Sequence, residues 1–191
     1  MIDTPTQSDG SLTTLAAEFP TEQILPVPFA TAATESMVPI SHILWSHLWL
    51  GIATDAFDRA RAFVKASAKA RPDQLPPTAT RLSQLMSELS LLRAEVHNGL
   101  REYVEADAGD REKLSTMATI LRFNNLKIAA SEQAPVVCRG AMSVCGIVGY
   151  KNDTPFSVGR HLRDTMSACL MVANDRIHQT NASLLLIAKD V

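Results

Sequence analysis

The chain has 191 residues, 46% of them hydrophobic, so it is long enough for one domain with a sizeable core. Its formal net charge of −2 argues against a nucleic-acid partner, which needs a basic face. No stretch approaches the roughly 18 apolar residues of a membrane helix, and the N-terminus lacks the pattern of a secretory leader. These properties predict a soluble, cytoplasmic protein.

The first 38 residues are predicted to form a tail. Short alternating stretches at Ser11 to Phe19 and Gln23 to Pro28 predict one or two short strands. The prolines of the second stretch cannot donate a ladder hydrogen bond, so they restrict it to a sheet edge or an extended linker.

Three long amphipathic helices are predicted next. Apolar residues recur at three- and four-residue steps over Pro39 to Arg71 and over Thr78 to Glu105. The third helix is predicted over Arg111 to Val144, with a kink where Pro135 removes one hydrogen bond.

The stretch from Cys145 to Arg176 contains turns as well as helix. The segment Asn152-Asp153-Thr154-Pro155 has the order turn, N-cap and first helical position, which predicts a helix beginning at Pro155. Asn174-Asp175 is predicted to cap a last helix that runs through Ile177 to Leu186. The predicted fold is therefore all-α, an antiparallel up-and-down helical bundle over residues 39–191 with a short β-like tail.

Several other side chains suggest no catalytic chemistry of their own. The histidines do not form the Glu-x-x-His pairs of a di-iron bundle, so no metal site is predicted. No nucleophile motif of a hydrolase is present. The three cysteines lack Cys-x-x-Cys spacing and are expected to be reduced core thiols, namely Cys138, Cys145 and Cys169.

The order of these elements resembles the acyl-CoA dehydrogenase family. The run LWLGIATDAFDRARAF is similar to the first helix of that family's C-terminal bundle, and NNLKIAASEQAPVVCRGAMSVCGIVGY is similar to the helix that leads to its glycine turn. The match extends from about Phe29 to the end of the chain. It implies the C-terminal half, or a small subunit, of a flavoenzyme that oxidises the CH–CH bond of an acyl thioester. The family's N-terminal helical domain and most of its β-domain have no counterpart here.

The resemblance also implies a FAD site that is shared with another chain. In the family the glycine turn of one subunit approaches the FAD of its neighbour. By position, a family glutamine falls on Ser143, a threonine on Asn174 and a glycine on Ile147. The implied FAD contacts are Ser143, Gly146, Ile147, Gly149, Asn174 and Arg176.

The catalytic base of the family has no clear counterpart. Its usual position falls on Val172, which cannot accept a proton, and the first helix offers only Asp55. Two alternatives follow: a catalytically silent assembly subunit, or a component of a flavin monooxygenase of the same fold. The Arg163-Asp164 pair could bind an anion or form a structural ion pair between helices, and the structural role is favoured because buried ion pairs often fix geometry without touching a ligand.

Association with other chains is expected in either case. Trp45, Trp49 and Leu50 make the first helix apolar over more of its circumference than one bundle face requires, which indicates an interface. The predicted partners are further copies of the chain, or a chain that supplies the missing N-terminal and β-domains.

Overall fold

The computed structural model describes residues 17–188, and helices dominate this part of the chain. In chain order they are α1 (Phe29–Ala32), α2 (Val38–Ala70), α3 (Ala79–Gly109), α4 (Met117–Cys145), α5 (Ile147–Tyr150), α6 (Gly159–Met166) and α7 (Asn174–Leu185). Short connections join α2 to α3 and α3 to α4, so each long helix is antiparallel to the next, and α2 and α4 run in the same direction. The prediction of an all-α helical bundle is confirmed.

The core lies along α4, which packs against α2, α3, α6 and α7. Small residues face each other across the α2–α4 contact and are completely buried, so the two backbones approach closely: Ala53, Ala56 and Ala60 on α2, and Ala130, Ala134 and Ala141 on α4. Larger side chains such as Leu89, Val96 and Leu126 fill the space next to α3. Apolar burial of this kind is the main driving force for packing the bundle.

The tail does not form strands within residues 17–28. Thr21–Gln23 makes a single 3₁₀ turn, and the rest of this stretch is irregular and exposed. Its prolines lack the N–H groups of a ladder, and the described chain offers no strand with which it could pair. The earlier part of the strand prediction, residues 11–16, lies outside the described residues.

The first helical region begins at Phe29, before the expected start at Pro39. A π-helical turn, Ala33–Met37, joins α1 directly to α2. Thr34 stabilises the junction between α1 and this π-helical turn, because its hydroxyl donates a hydrogen bond of 3.0 Å to the Ala30 carbonyl.

The expected helix start at Pro155 is wrong, since α6 begins at Gly159. The Thr154 hydroxyl donates to the Val148 carbonyl at 2.8 Å, so this side chain binds the preceding segment and does not cap a helix. The Val158 N–H donates to the Gly149 carbonyl at 2.8 Å. These bonds hold residues 151–158 as a turn against α5.

The apolar face of α2 belongs largely to the core. Trp49 and Leu50 are only 2% and 7% exposed, so the expectation that they form an interface is wrong. Trp45 stacks on Trp49 with ring centroids 6.0 Å apart and is itself partly buried. The large apolar side chains that do face outward from this helical region are Met37, Ile40, Leu44 and Leu48.

Arg163 and Asp164 do not join two helices. The Arg163 guanidinium binds the Asp164 carboxylate beside it at 3.0 Å, and its side chain is 75% exposed. Asp164 also accepts from Arg160 of the same helix at 3.3 Å. Exposed pairs of this kind add little to stability.

The cysteines and the hydropathy of the helices follow the expectations from composition in the described residues. The three cysteines are free, and burial raises the pKa of Cys138 and of Cys145 to about 11. Among residues 17–188, no helix has the length and apolar character needed to cross a bilayer.

Candidate functional site

A groove between α2, α4 and α7 contains two of the expected site residues, Val172 and Arg176. Its volume is about 450 Å³, and we call it the α2/α7 groove. Most of its wall is apolar, formed by Val38, Pro39, Leu114, Ile120, Phe123, Val172, Ile177 and Leu184. The polar side chains that join this wall are His42, Asn124, Arg176 and two threonines. An apolar wall with a few polar groups is typical of small-molecule sites.

Val172 lies in the turn between α6 and α7 with a backbone φ of 49°. This left-handed conformation is unfavourable for a β-branched residue, so the surrounding structure must hold it in place. The Val172 side chain is 53% exposed and brings no proton acceptor to the groove. The position expected for the catalytic base is therefore at the groove, but without a base.

Lys127 holds this turn from inside the bundle. Its side chain is completely buried, and its ammonium donates to the carbonyls of Ala168 at 3.3 Å and Val172 at 3.2 Å. It also donates to Asn174 Oδ1 at 2.6 Å and lies 5.6 Å from the centre of the Trp49 ring. Burial lowers the pKa of Lys127.

Asn174 belongs to the same buried hydrogen-bond network as Lys127. Besides accepting from Lys127, its amide donates to Ser131 Oγ at 3.1 Å and to Glu132 Oε1 at 3.4 Å. The residue is 8% exposed and does not line the groove. It begins α7, but its side chain makes no capping bond there.

Sequence reasoning missed Lys127, although a signal was present. It lies on α4 between two apolar residues, Leu126 and Ile128, and on the same helix face as Phe123 and Ala130. A lysine on a buried face needs several acceptors.

His42 forms part of the groove wall and is 3% exposed. Its Nδ1 lies 3.2 Å from the Phe123 carbonyl, to which the neutral ring donates. Burial lowers the pKa of His42 to about 4, although this hydrogen bond opposes the shift. The ring is therefore neutral at pH 7 and serves as a donor to the backbone.

The expected contacts in the glycine turn lie at the other end of α4. From Asn124 at the groove to Ser143, nineteen residues of helix span roughly 28 Å. Ser143 is exposed and donates to the Arg139 carbonyl at 3.0 Å, and Ile147 is 68% exposed. The expected FAD contacts thus form two groups, one at the C-terminal end of α4 and one, Asn174 and Arg176, beside its N-terminal half and middle.

The glycine turn itself depends on its two glycines for different reasons. Gly146 has a φ of 61°, a conformation that side chains rarely adopt. A Cβ on Gly149 would lie 2.5 Å from the Cβ of Cys145 and 3.3 Å from a methyl group of Val158. Gly149 therefore allows α5 to pack closely against Cys145 and Val158, where a side chain would not fit.

Asp55 lies in a different cleft, between α2 and α6. The cleft has a volume of about 720 Å³ and does not include Val172 or Arg176. Asp55 Oδ2 accepts from Arg59 at 2.8 Å and lies 2.6 Å from His161 Nε2. The Arg59 hydrogen bond is the main cause that lowers the Asp55 pKa, which makes this carboxylate a poor base.

The described residues contain no group of three or more His, Cys, Asp or Glu side chains placed to hold a metal ion. Comparisons of the sequence with protein-family models and with curated proteins, and of the fold with solved structures, found no match.

Proposed function

We propose that the chain is the C-terminal half, or a small subunit, of an acyl-CoA dehydrogenase-like flavoenzyme. Its FAD site would be completed by another chain that supplies the N-terminal and β-domains. The observation that carries the proposal is the α2/α7 groove. Val172 and Arg176, which the sequence resemblance assigns to the base position and to a flavin contact, line one apolar cavity.

The groove has properties that suit this role. Its apolar wall matches the acyl part of a thioester or the edge of a flavin ring, and the exposed Arg176 offers N–H donors to a carbonyl or an anionic oxygen. The glycine turn, at the other end of α4, would meet a second FAD in a neighbouring subunit. An oligomer would bring both groups of contacts to flavin, since the groove at Asn124 and the glycine turn near Ser143 are roughly 28 Å apart along α4 of one chain.

A catalytically silent assembly subunit is the second candidate. It is favoured by Val172, which has no proton acceptor, and by the engagement of Asp55 with Arg59 and His161 in another cleft. A component of a flavin monooxygenase of the same fold is the third candidate, because such enzymes also lack this base. The three free thiols support a cytoplasmic location.

Arg176→Ala tests the assignment of the groove. Purified with the chain that supplies the missing domains, this variant should retain less FAD per complex, measured by flavin absorbance after gel filtration. Arg81→Ala, an exposed substitution at the start of α3 and away from both groups of expected FAD contacts, is the matched control and should retain as much FAD as the unmodified complex. Equal FAD retention in both variants would remove Arg176 from the flavin site.

A further inference from the structure

A cavity at the start of α6 is lined by several basic side chains. Among the described residues that line it, none is negatively charged. Its volume is about 630 Å³, and Arg59, Arg160, His161 and Arg163 line it without any Asp or Glu. Its other lining residues include several hydrogen-bond donors, for example Tyr150 and Asn152. We call it the arginine cavity.

The carboxylates that pair with these arginines lie in the adjoining cleft between α2 and α6. Asp55 binds Arg59, and Asp164 binds both Arg160 and Arg163. Three guanidinium groups therefore share two pairing carboxylates, so one guanidinium charge is not matched by a carboxylate of its own. The Arg160 and Arg163 side chains are 82% and 75% exposed, so their guanidinium groups are accessible to a ligand.

The backbone adds donors to the same cavity. The first bond of α6 runs from the Leu162 N–H to the Val158 carbonyl at 3.1 Å. The N–H groups of Gly159, Arg160 and His161 have no hydrogen-bond partner within residues 17–188, and no side chain caps this end of the helix. Free N–H groups and the helix dipole both favour an anion at this point.

We propose that the arginine cavity binds the phosphate monoester of a small molecule. A dianionic phosphate can accept from several guanidinium and backbone N–H donors at once, which suits three arginines around one helix start. The concave shape and the net charge of −2 of the whole chain favour a small ligand over a nucleic acid.

The arginine cavity is separate from the α2/α7 groove. Arg59 follows His42 by seventeen residues on α2, which corresponds to roughly 25 Å. The inference does not depend on the proposed flavoenzyme, and it concerns a terminal phosphate, which FAD does not have.

Equilibrium dialysis of the purified chain against glycerol 3-phosphate tests the proposal, with NaCl holding the ionic strength constant. Binding should saturate below about 10 mM. Glycerophosphocholine, a diester with one less negative charge on its phosphate, should bind about tenfold more weakly. FAD should not displace the monoester. No saturation, equal binding of the diester, or displacement by FAD would each overturn the proposal.

Two variants and a control locate the binding. Arg160→Gln combined with Arg163→Gln should weaken monoester binding about tenfold or more. Asp164→Asn releases both arginines from their carboxylate and should strengthen binding severalfold. Arg81→Gln combined with Arg139→Gln removes the same charge from exposed sites outside the cavity and should change binding less than about twofold. Equal weakening in the control pair, or no gain with Asp164→Asn, would contradict the assigned site.

Discussion

His42 makes the stability of the bundle depend on pH. In the folded chain burial keeps the ring neutral down to about pH 4, whereas the unfolded chain takes up a proton near pH 6.5. Between these values the unfolded state binds more protons, so stability is present above pH 6.5 and is lost as the pH falls towards 4. The difference corresponds to roughly 3 kcal/mol.

The prediction is tested with His42→Asn, whose amide can still donate to the Phe123 carbonyl. The free energy of unfolding, measured by urea denaturation, should fall less between pH 7 and pH 4 in this variant than in the unmodified chain. His178→Asn, which changes an exposed histidine of α7, is the matched control. Parallel profiles for His42→Asn and the unmodified chain would contradict this account.

Lys127 is predicted to hold the turn that carries Val172. Lys127→Met has a similar volume but leaves the Ala168 and Val172 carbonyls without their side-chain donor, and Asn174 Oδ1 with the Ser131 hydroxyl alone at 3.3 Å. We expect a loss of about 3 kcal/mol in the free energy of unfolding, since each buried unsatisfied group costs roughly 1–3 kcal/mol. Lys151→Met, at an exposed position, should change it by less than about 0.5 kcal/mol. If both variants unfold at the same urea concentration, the network does not stabilise the fold.

For individual residues, the sequence indicated candidate site residues but not the residues that they contact. Val172 and Arg176 were placed by resemblance, and both line the groove. Asn174 was expected to contact FAD, but it faces Lys127, which lies 47 positions earlier in the chain. Contacts of such long range depend on how α4 and α7 pack, and the periodicity of one helix does not contain this information.

The turn between α4 and α6 depends on Gly149. Gly149→Ala should lower the free energy of unfolding by roughly 1–3 kcal/mol, because the added methyl group would meet the Cβ of Cys145, which cannot move away. Gly51→Ala is the matched control, since nothing lies within 4 Å of its added methyl group. It should raise stability by roughly 0.5–1 kcal/mol through helix propensity. A Gly149→Ala protein as stable as the control would show that the turn tolerates a side chain.

Among the elements, the long helices were the most predictable. Their apolar residues repeat over many turns, and the observed α2 and α3 begin and end close to the predicted positions. The start of α6 was not predictable from its capping pattern, because Thr154 bonds back to Val148. The strands expected near Gln23 required a partner strand, which the described chain does not provide.

The whole molecule is predicted to be an oligomer. The exposed apolar residues indicate a different interface from the one expected at Trp49 and Leu50. Met37, Ile40, Leu44 and Leu48 form an outward apolar stripe of 39–65% exposed residues. His47 stacks on His97 at 6.0 Å, so the antiparallel α3 brings the exposed Leu100 and Val104 beside this stripe. An apolar surface of this extent usually marks an interface.

Light scattering at micromolar concentration should give a mass of at least twice 20.8 kDa. Leu44→Lys combined with Leu48→Lys should shift the mass towards that of the monomer, because two charges would have to be buried. Leu91→Lys changes a 70% exposed leucine on another side of α3 and should keep the oligomer intact. A monomer in the unmodified chain would refute the interface.

For the whole molecule, the sequence predicted the helical bundle but not that the candidate site residues lie in two separate places. The expected FAD contacts formed a single set in the sequence, and the length of α4 separates them into two. Anion binding was one of two roles considered for Arg163, but the arginine cavity itself was not anticipated, because Arg59 comes from α2 whereas Arg160 and Arg163 come from α6.

The central claim is that this chain supplies one side of a FAD site. The most direct measurement is the flavin absorbance of the chain purified alone and purified after co-expression with the product of the neighbouring gene. Each polar contact contributes about 1 kcal/mol and association costs several, so the chain alone should bind FAD no better than roughly millimolar and should be colourless. The co-purified complex should be yellow with stoichiometric FAD. Stoichiometric FAD in the chain alone, or a colourless complex, would contradict the claim.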